Sequence, residues 1–143
     1  MQFPVLCIPK GIGMYYVAAT ESLGRCRPSL FWRAKVYDGM RIVDSAGNAF
    51  AVRKSEIVRP ATKFGQAIAR FFDATVQLEL VVQAIEPPPM EELKAAVQAA
   101  IDDDPESFEE LSGKSVQWWN DTLSRASTPR EVVNAFSAST SDG

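Results

Sequence analysis

Histidine is missing altogether from this chain of 143 residues, and no other absence removes as much chemistry. A Ser-His-Asp triad, a Cys-His pair, the usual His-containing zinc sites and a histidine proton shuttle all need the imidazole. Cysteine is scarce too, Cys7 and Cys26 being the only 2. In a chain read as having no export signal, two isolated thiols are expected to be reduced and structural, one disulfide between them being the alternative. No run of about 18 apolar residues occurs, so no membrane-spanning helix is expected. The opening "MQFPVLCIPKGIG" is interrupted by Pro4, Pro9 and Lys10 where a signal peptide would need an unbroken apolar stretch. The expectation from these absences is a cytoplasmic protein with no cofactor, no bound metal and no membrane partner.

What is present is ordinary globular material, 46% hydrophobic and 23% charged, spread along the whole chain and long enough to bury a core without staples. The net charge of −3 hides a polarity. Residues 1–85 hold 11 Lys and Arg against 6 Asp and Glu, and residues 86–143 hold 4 against 12. Such a split means either two contrasting faces or two halves that attract each other.

Residues 1–86 read as a sheet-rich part with one helix. "MYYVAAT" and "SLFWRAKVY" are aromatic and β-branched, and "GMRIVDSAGNAFAVRKSEIV" reads as two strands around the turn "DSAGN", where Gly47 and Asn48 tolerate positive φ. "KGIGM" and "ESLGRCRPS" read as turn and loop. Phe64, Ile68, Phe71 and Phe72 form a one-sided helical stripe, expected to pack on the sheet. "TVQLELVVQAI" alternates, with Val76, Leu78, Leu80, Val82 and Ala84 on one side, and Pro87 to Pro89 end the strand.

Residues 87–137 read as helices packed on that sheet within one domain, followed by a flexible tail over 138–143. Met90, Leu93, Val97, Ala100 and Ile101 mark the first; Asp104 followed by Pro105 starts the second and Gly113 stops it. Val116, Trp119, Leu123 and Ala126 line the third, and Thr128, Pro129 and Glu131 open the fourth with capping-box spacing. The fold class expected is α+β: a small twisted antiparallel sheet or partial barrel, one short helix packed on it, then a C-terminal run of about four short helices.

The densest chemical feature is "IDDDPESFEE", which puts Asp102, Asp103, Asp104, Glu106, Glu109 and Glu110 within ten residues. Helix capping needs one of these carboxylates, and the rest are either solvated or a template for a basic partner. Trp118 falls about 100° around its helix from the Trp119 stripe, among Asp121, Thr122 and Arg125, and serves either as an interface anchor or as a second packing contact. Calcium-loop spacing and its central glycine are missing, and adjacent aspartates on a turn rarely converge on one ion. Nor do adjacent acids make the facing pair that glycoside hydrolysis uses. A competing reading is carried by Arg25, Arg27, Arg33, Lys35, Arg41, Arg53, Lys54 and Arg59 with Tyr15, Tyr16, Phe31, Trp32 and Tyr37: a small barrel that stacks bases and holds phosphates.

The stretches "MRIVDSAGNAFAVRKSEIVRP", "MEELKAAVQAAIDDDPESFEEL" and "ASTPREVVNAF" resemble small bacterial immunity proteins of polymorphic toxin systems, over roughly residues 40–136. The resemblance implies a non-enzymatic cytoplasmic antidote that blocks a toxin's active site or substrate groove, and it assigns no individual binding residue. Joined to the charge layout, it makes the expected function protein-binding inhibition through Asp102 to Glu110, with Trp118 alongside. A nucleic-acid-binding module is the alternative, and a structural or adaptor subunit the third.

Overall fold

The computed structural model describes residues 1–10, 14–17, 23–27 and 37–141. Within them an antiparallel six-stranded sheet curls into a half-barrel. Its strands are β1 (Val5–Ile8), β2 (Tyr15–Val17), β3 (Arg25–Cys26), β4 (Arg41–Asp44), β5 (Ala49–Arg59) and β6 (Val76–Ile85), lying in the order β2-β1-β4-β5-β6-β3. Helix α1 (Lys63–Phe72) connects β5 to β6, and α2 (Met90–Asp103), α3 (Pro105–Ser112), α4 (Val116–Arg125) and α5 (Pro129–Ser141) follow. The α+β architecture expected from the sequence is the one observed.

Strand β1 explains how the sheet is used. Its residues Val-Leu-Cys-Ile are all apolar because both faces of the strand are covered. Leu6 joins Val43 and Ala49 in a core completed by Leu93, Val97, Ile101, Trp119, Leu123, Val132 and Val133 from the C-terminal helices. Val5 and Cys7 turn the other way, into a second core with Ile42, Val52, Val76 and Leu78. Strand β6 alternates as expected from Val76 to Val82, Val76 and Leu78 being buried and Glu79 and Val81 exposed, and it ends at Ile85 before the prolines.

The β4–β5 turn is built around the buried Asp44. Its carboxylate accepts from the backbone N–H of Ala46 (3.0 Å), Asn48 (2.9 Å) and Gln2 (3.0 Å), which ties the chain's start to the hairpin. Gly47 sits at φ +90°, where a side chain would be strained. Asn134 of α5 donates to the Ser45 carbonyl at 3.5 Å, so the turn also meets the last helix.

Four local expectations change. Arg25 and Cys26, expected in a loop, form a short strand because Gln77 and Val76 offer them an edge to pair with. The chain reverses just before them at Gly24, φ +85°. The capping box at α5 is shifted: Glu131 N–H donates to Thr128 Oγ1, while the Glu131 carboxylate accepts from Ser127 N–H, one residue earlier than the box requires. Helix α5 also runs through to Ser141, into the stretch expected as a tail, because no Gly or Pro interrupts it before then. Most of "SLFWRAKVY" and the "KGIGM" turn lie outside the described residues, and Tyr37 occupies a turn.

The fourth change concerns α1. Thr62 caps it by accepting from Gly65 N–H at 3.0 Å, and Asp73 closes it in the left-handed region at φ 51°. The helix does meet the second core, through Ala69. The stripe expected to make that contact faces away: Phe64, Ile68, Phe71 and Phe72 are 77%, 44%, 83% and 71% exposed. Gly65 and Ala69 lie roughly 100° around the helix from the stripe, and their small size lets that side approach. A Cβ on Gly65 would sit 2.8 Å from Pro60 Cβ.

Candidate functional site

Each acid of the candidate surface is placed by a helix end. Asp104 follows α2 directly and caps α3, its carboxylate accepting from Ser107 N–H at 3.1 Å and from Ser107 Oγ–H at 2.8 Å. These bonds, the backbone one first, hold the Asp104 carboxyl below the usual carboxylate range. Pro105 takes the first helical position, where its missing N–H does no harm, and Gly113 ends α3 at φ 73°. The two helices are therefore joined by one residue, and the acids crowd onto a tight corner.

Local structure employs three of the six. Besides the Asp104 cap, Asp102 accepts from Gln98 Nε2–H at 3.0 Å, and Glu109 Oε1 accepts from Val116 N–H at 3.0 Å, which fastens α3 to the first turn of α4. Asp103, Glu106 and Glu110 make no hydrogen bond or ion pair with other described residues, and all six side chains are exposed. The nearest cation in sequence is Lys114, just before the Ser115 cap of α4.

Trp118 is half-buried. One edge meets Trp119 in a T-shaped contact at 4.9 Å, and the Lys114 ammonium lies 5.7 Å from its ring centroid. Trp119 itself is fully buried, donates from Nε1–H to Ser112 Oγ at 3.0 Å and packs on Phe108 and Phe136. The neighbouring tryptophans thus divide the labour: one anchors the core, and the other leans on it with part of its ring left to solvent. The Glu109 link to Val116 brings this ring and the acids of α3 to one region of the surface.

The basic residues of the competing reading are only partly in view. Arg33, Lys35, Phe31 and Trp32 lie outside the described residues. Arg41 is engaged with Glu92 of α2 at 2.6 Å, an ion pair between the basic and acidic parts of the chain, and Lys54 pairs with Glu56 on its own strand. Sequence reasoning missed a row formed across β3, β6 and β5. Arg25 pairs with Gln77, and Gln77 pairs with Arg59, so both guanidinium-bearing residues flank one glutamine on one face of the sheet. A cleft of about 800 Å³ opens there, lined by Arg25, Arg59, Pro60, Thr75, Val76 and Gln77. No sequence signal announced it, since the partners lie far apart in the chain and only strand register joins them.

Cys7 and Cys26 are both buried and not joined to each other. Burial pushes the Cys26 thiol up to about 11, against a smaller opposing effect of its hydrogen bond with Tyr37, so it is a poor nucleophile. Among the described residues no group of three or more Cys, Asp or Glu side chains could hold a metal ion, the three consecutive aspartates included. No helix among them is long and apolar enough to cross a membrane. No family model matches the chain, and no curated protein or solved structure matches it either.

Proposed function

We propose that the protein is a non-enzymatic, protein-binding inhibitor, an immunity protein that neutralises a cognate toxin through its acidic surface. One observation carries the reading: Asp103, Glu106 and Glu110 are exposed carboxylates with no hydrogen bond or ion pair to other described residues, set on a corner beside a half-buried tryptophan. Uncompensated like charges on a tight turn repel each other, so a corner shaped by stability alone would be expected to keep fewer of them. A basic partner surface relieves that repulsion, and the carboxylates then act mainly on the rate of association. Trp118 supplies area that a partner can finish burying. The resemblance to immunity proteins adds the class of partner, and a cytoplasmic location follows from that class.

Charge reversal tests the reading without touching the caps. Asp103 ends α2 and Glu110 lies in the last turn of α3, positions where a cation is favoured by the helix dipole. Asp103→Lys with Glu110→Lys is therefore expected to fold as wild type. Affinity capture from the source organism, with and without nuclease, identifies the partner, and association is then followed at low and moderate salt. The expected result is one nuclease-resistant protein whose on-rate drops about tenfold or more at low salt in the variant. An unchanged on-rate would remove this face from consideration.

A further inference from the structure

Phe64, Ile68, Phe71 and Phe72 gather most of the large apolar exposure among the described residues onto one helix of 10 residues. A folded surface rarely leaves three phenylalanines this open on one side of a helix without an occupant. We infer that the occupant is a second copy of this chain, the two α1 helices packing antiparallel about a twofold axis that passes beside Ile68.

The spacing suits a helix pair. Phe64, Ala67, Ile68 and Phe71 are all exposed and follow the three-four-seven interval of a seam along which two helices interlock. Ala67 carries little side chain, so the axes can approach near the middle while the phenylalanines fill the ends. Centring the pair on Ile68 sets Phe64 of each copy against Phe72 of the other, with Phe71 beside it, and Ile68 against its own copy. One surface serves both partners, as a twofold contact requires.

Charge fixes the direction. Lys63 stands in the first turn of α1 and forms no ion pair with other described residues, and Asp73 stands at the C-cap. An antiparallel pair brings the Lys63 end of each helix alongside the Asp73 end of the other, where the cation also meets the negative pole of the facing helix. Arg70, one turn inside that end, is already engaged within its own chain. A parallel pair would instead set Lys63 against Lys63 and Asp73 against Asp73. At their exposures the three phenylalanines offer roughly 450 Å² per copy. A standard interface buries about 800 Å² on each partner, so a dimer built on α1 is reversible and dissociates on dilution.

Two other occupants are matched less well. An anionic bilayer would want cations around the stripe, but Arg25 and Arg59 flank Gln77 on the side of the sheet opposite Val76, Leu78 and Ala69, and Asp73 adds a carboxylate at the helix end. Single-stranded nucleic acid would want parallel platforms, and Phe71 and Phe72 meet edge to face at 83°. Helix α1 meets the second core and Phe108 of the acidic α3 packs on the first, so pairing through α1 does not depend on what the acidic corner binds.

Sedimentation velocity of the full chain at low salt, from about 5 µM to about 500 µM, covers the range expected of so small an interface and should show monomer passing to dimer. Phe71→Ser with Phe72→Ser should weaken dimerisation about tenfold or more. Lys63→Glu should weaken it about threefold or more; an acid suits the first turn of a helix, so this variant should fold as wild type by circular dichroism. Mild oxidation should link Ile68→Cys into a dimer but not Phe64→Cys, whose antiparallel copies lie roughly 12 Å apart along the helices. Cys7 and Cys26 are buried and do not compete. A chain that stays monomeric across the range overturns the inference, whether or not it binds phosphatidylglycerol vesicles or oligothymidine through Phe71. So does a dimer that keeps wild-type affinity in the phenylalanine variant or in Lys63→Glu, and so does linkage through Phe64→Cys, the mark of a parallel pair.

Discussion

Helices α1 and α4 each carry an apolar stripe and meet opposite fates. In α4, Trp119 and Leu123 are buried, with Ala126 just beyond, and they hold the helix against the larger core. In α1 the bulkier stripe is turned outward, and the small residues Gly65 and Ala69 make the contact. Periodicity states that a helix has an apolar side; whether the same chain covers that side depends on where the helix is tethered. Helix α1 is tied at both ends to adjacent strands, which leaves little freedom to rotate its aromatic face inward. Helix α4 follows α3 through a short connection and is steered by the ring contacts of Trp119.

Mutation should break the comparison most sharply at Trp119. Trp119→Ala empties the centre of the helical core and is expected to cost about 4 kcal/mol in urea unfolding. Asp44→Ala should come next, at about 2–3 kcal/mol, because it strips acceptors from three backbone N–H groups at a buried turn. Alkaline pH probes the second core. The native state keeps the Cys26 thiol protonated up to about 11, whereas the unfolded thiol ionises near its ordinary value. That stabilisation is complete below the ordinary thiol pKa and is lost as pH rises through the folded one. Chemical denaturation at pH 8 and pH 10 should therefore show a smaller alkaline loss in Cys26→Ala than in wild type. The smallest effect belongs to α1. Phe71→Ser with Phe72→Ser should change stability by no more than about 0.5 kcal/mol, and a loss as large as that of Trp119→Ala would mean that the stripe is core after all.

Much of the fold was legible because its signals are local. The alternation from Val76 to Leu80, the Asp104–Pro105 start, the Gly113 stop and the proline run after β6 each rest on a few adjacent residues whose conformational limits are steep. Less could be read of β3, since Arg25 and Cys26 form a strand only by borrowing the edge of β6, and that edge lies some fifty residues away in sequence. The candidate acidic surface was legible as composition. Its division into capping and uncommitted carboxylates was not, because the bonds from Gln98, Ser107 and Val116 depend on how α2, α3 and α4 meet. The arginine row was hidden for the same reason as β3.

Strand β1 gives the Asp44 turn a second significance. A strand with one wet face finds its alignment from its own pattern, since a slip by one residue would drown its apolar side. Val5 to Ile8 has no wet face, so a slipped β1 would simply exchange the residues offered to the two cores, apolar for apolar. The hydrophobic pattern therefore leaves the strand's alignment underdetermined. Asp44, by gripping the N–H of Gln2 while Ser45 N–H donates to the Gln2 carbonyl at 3.1 Å, acts as the key that admits a single setting.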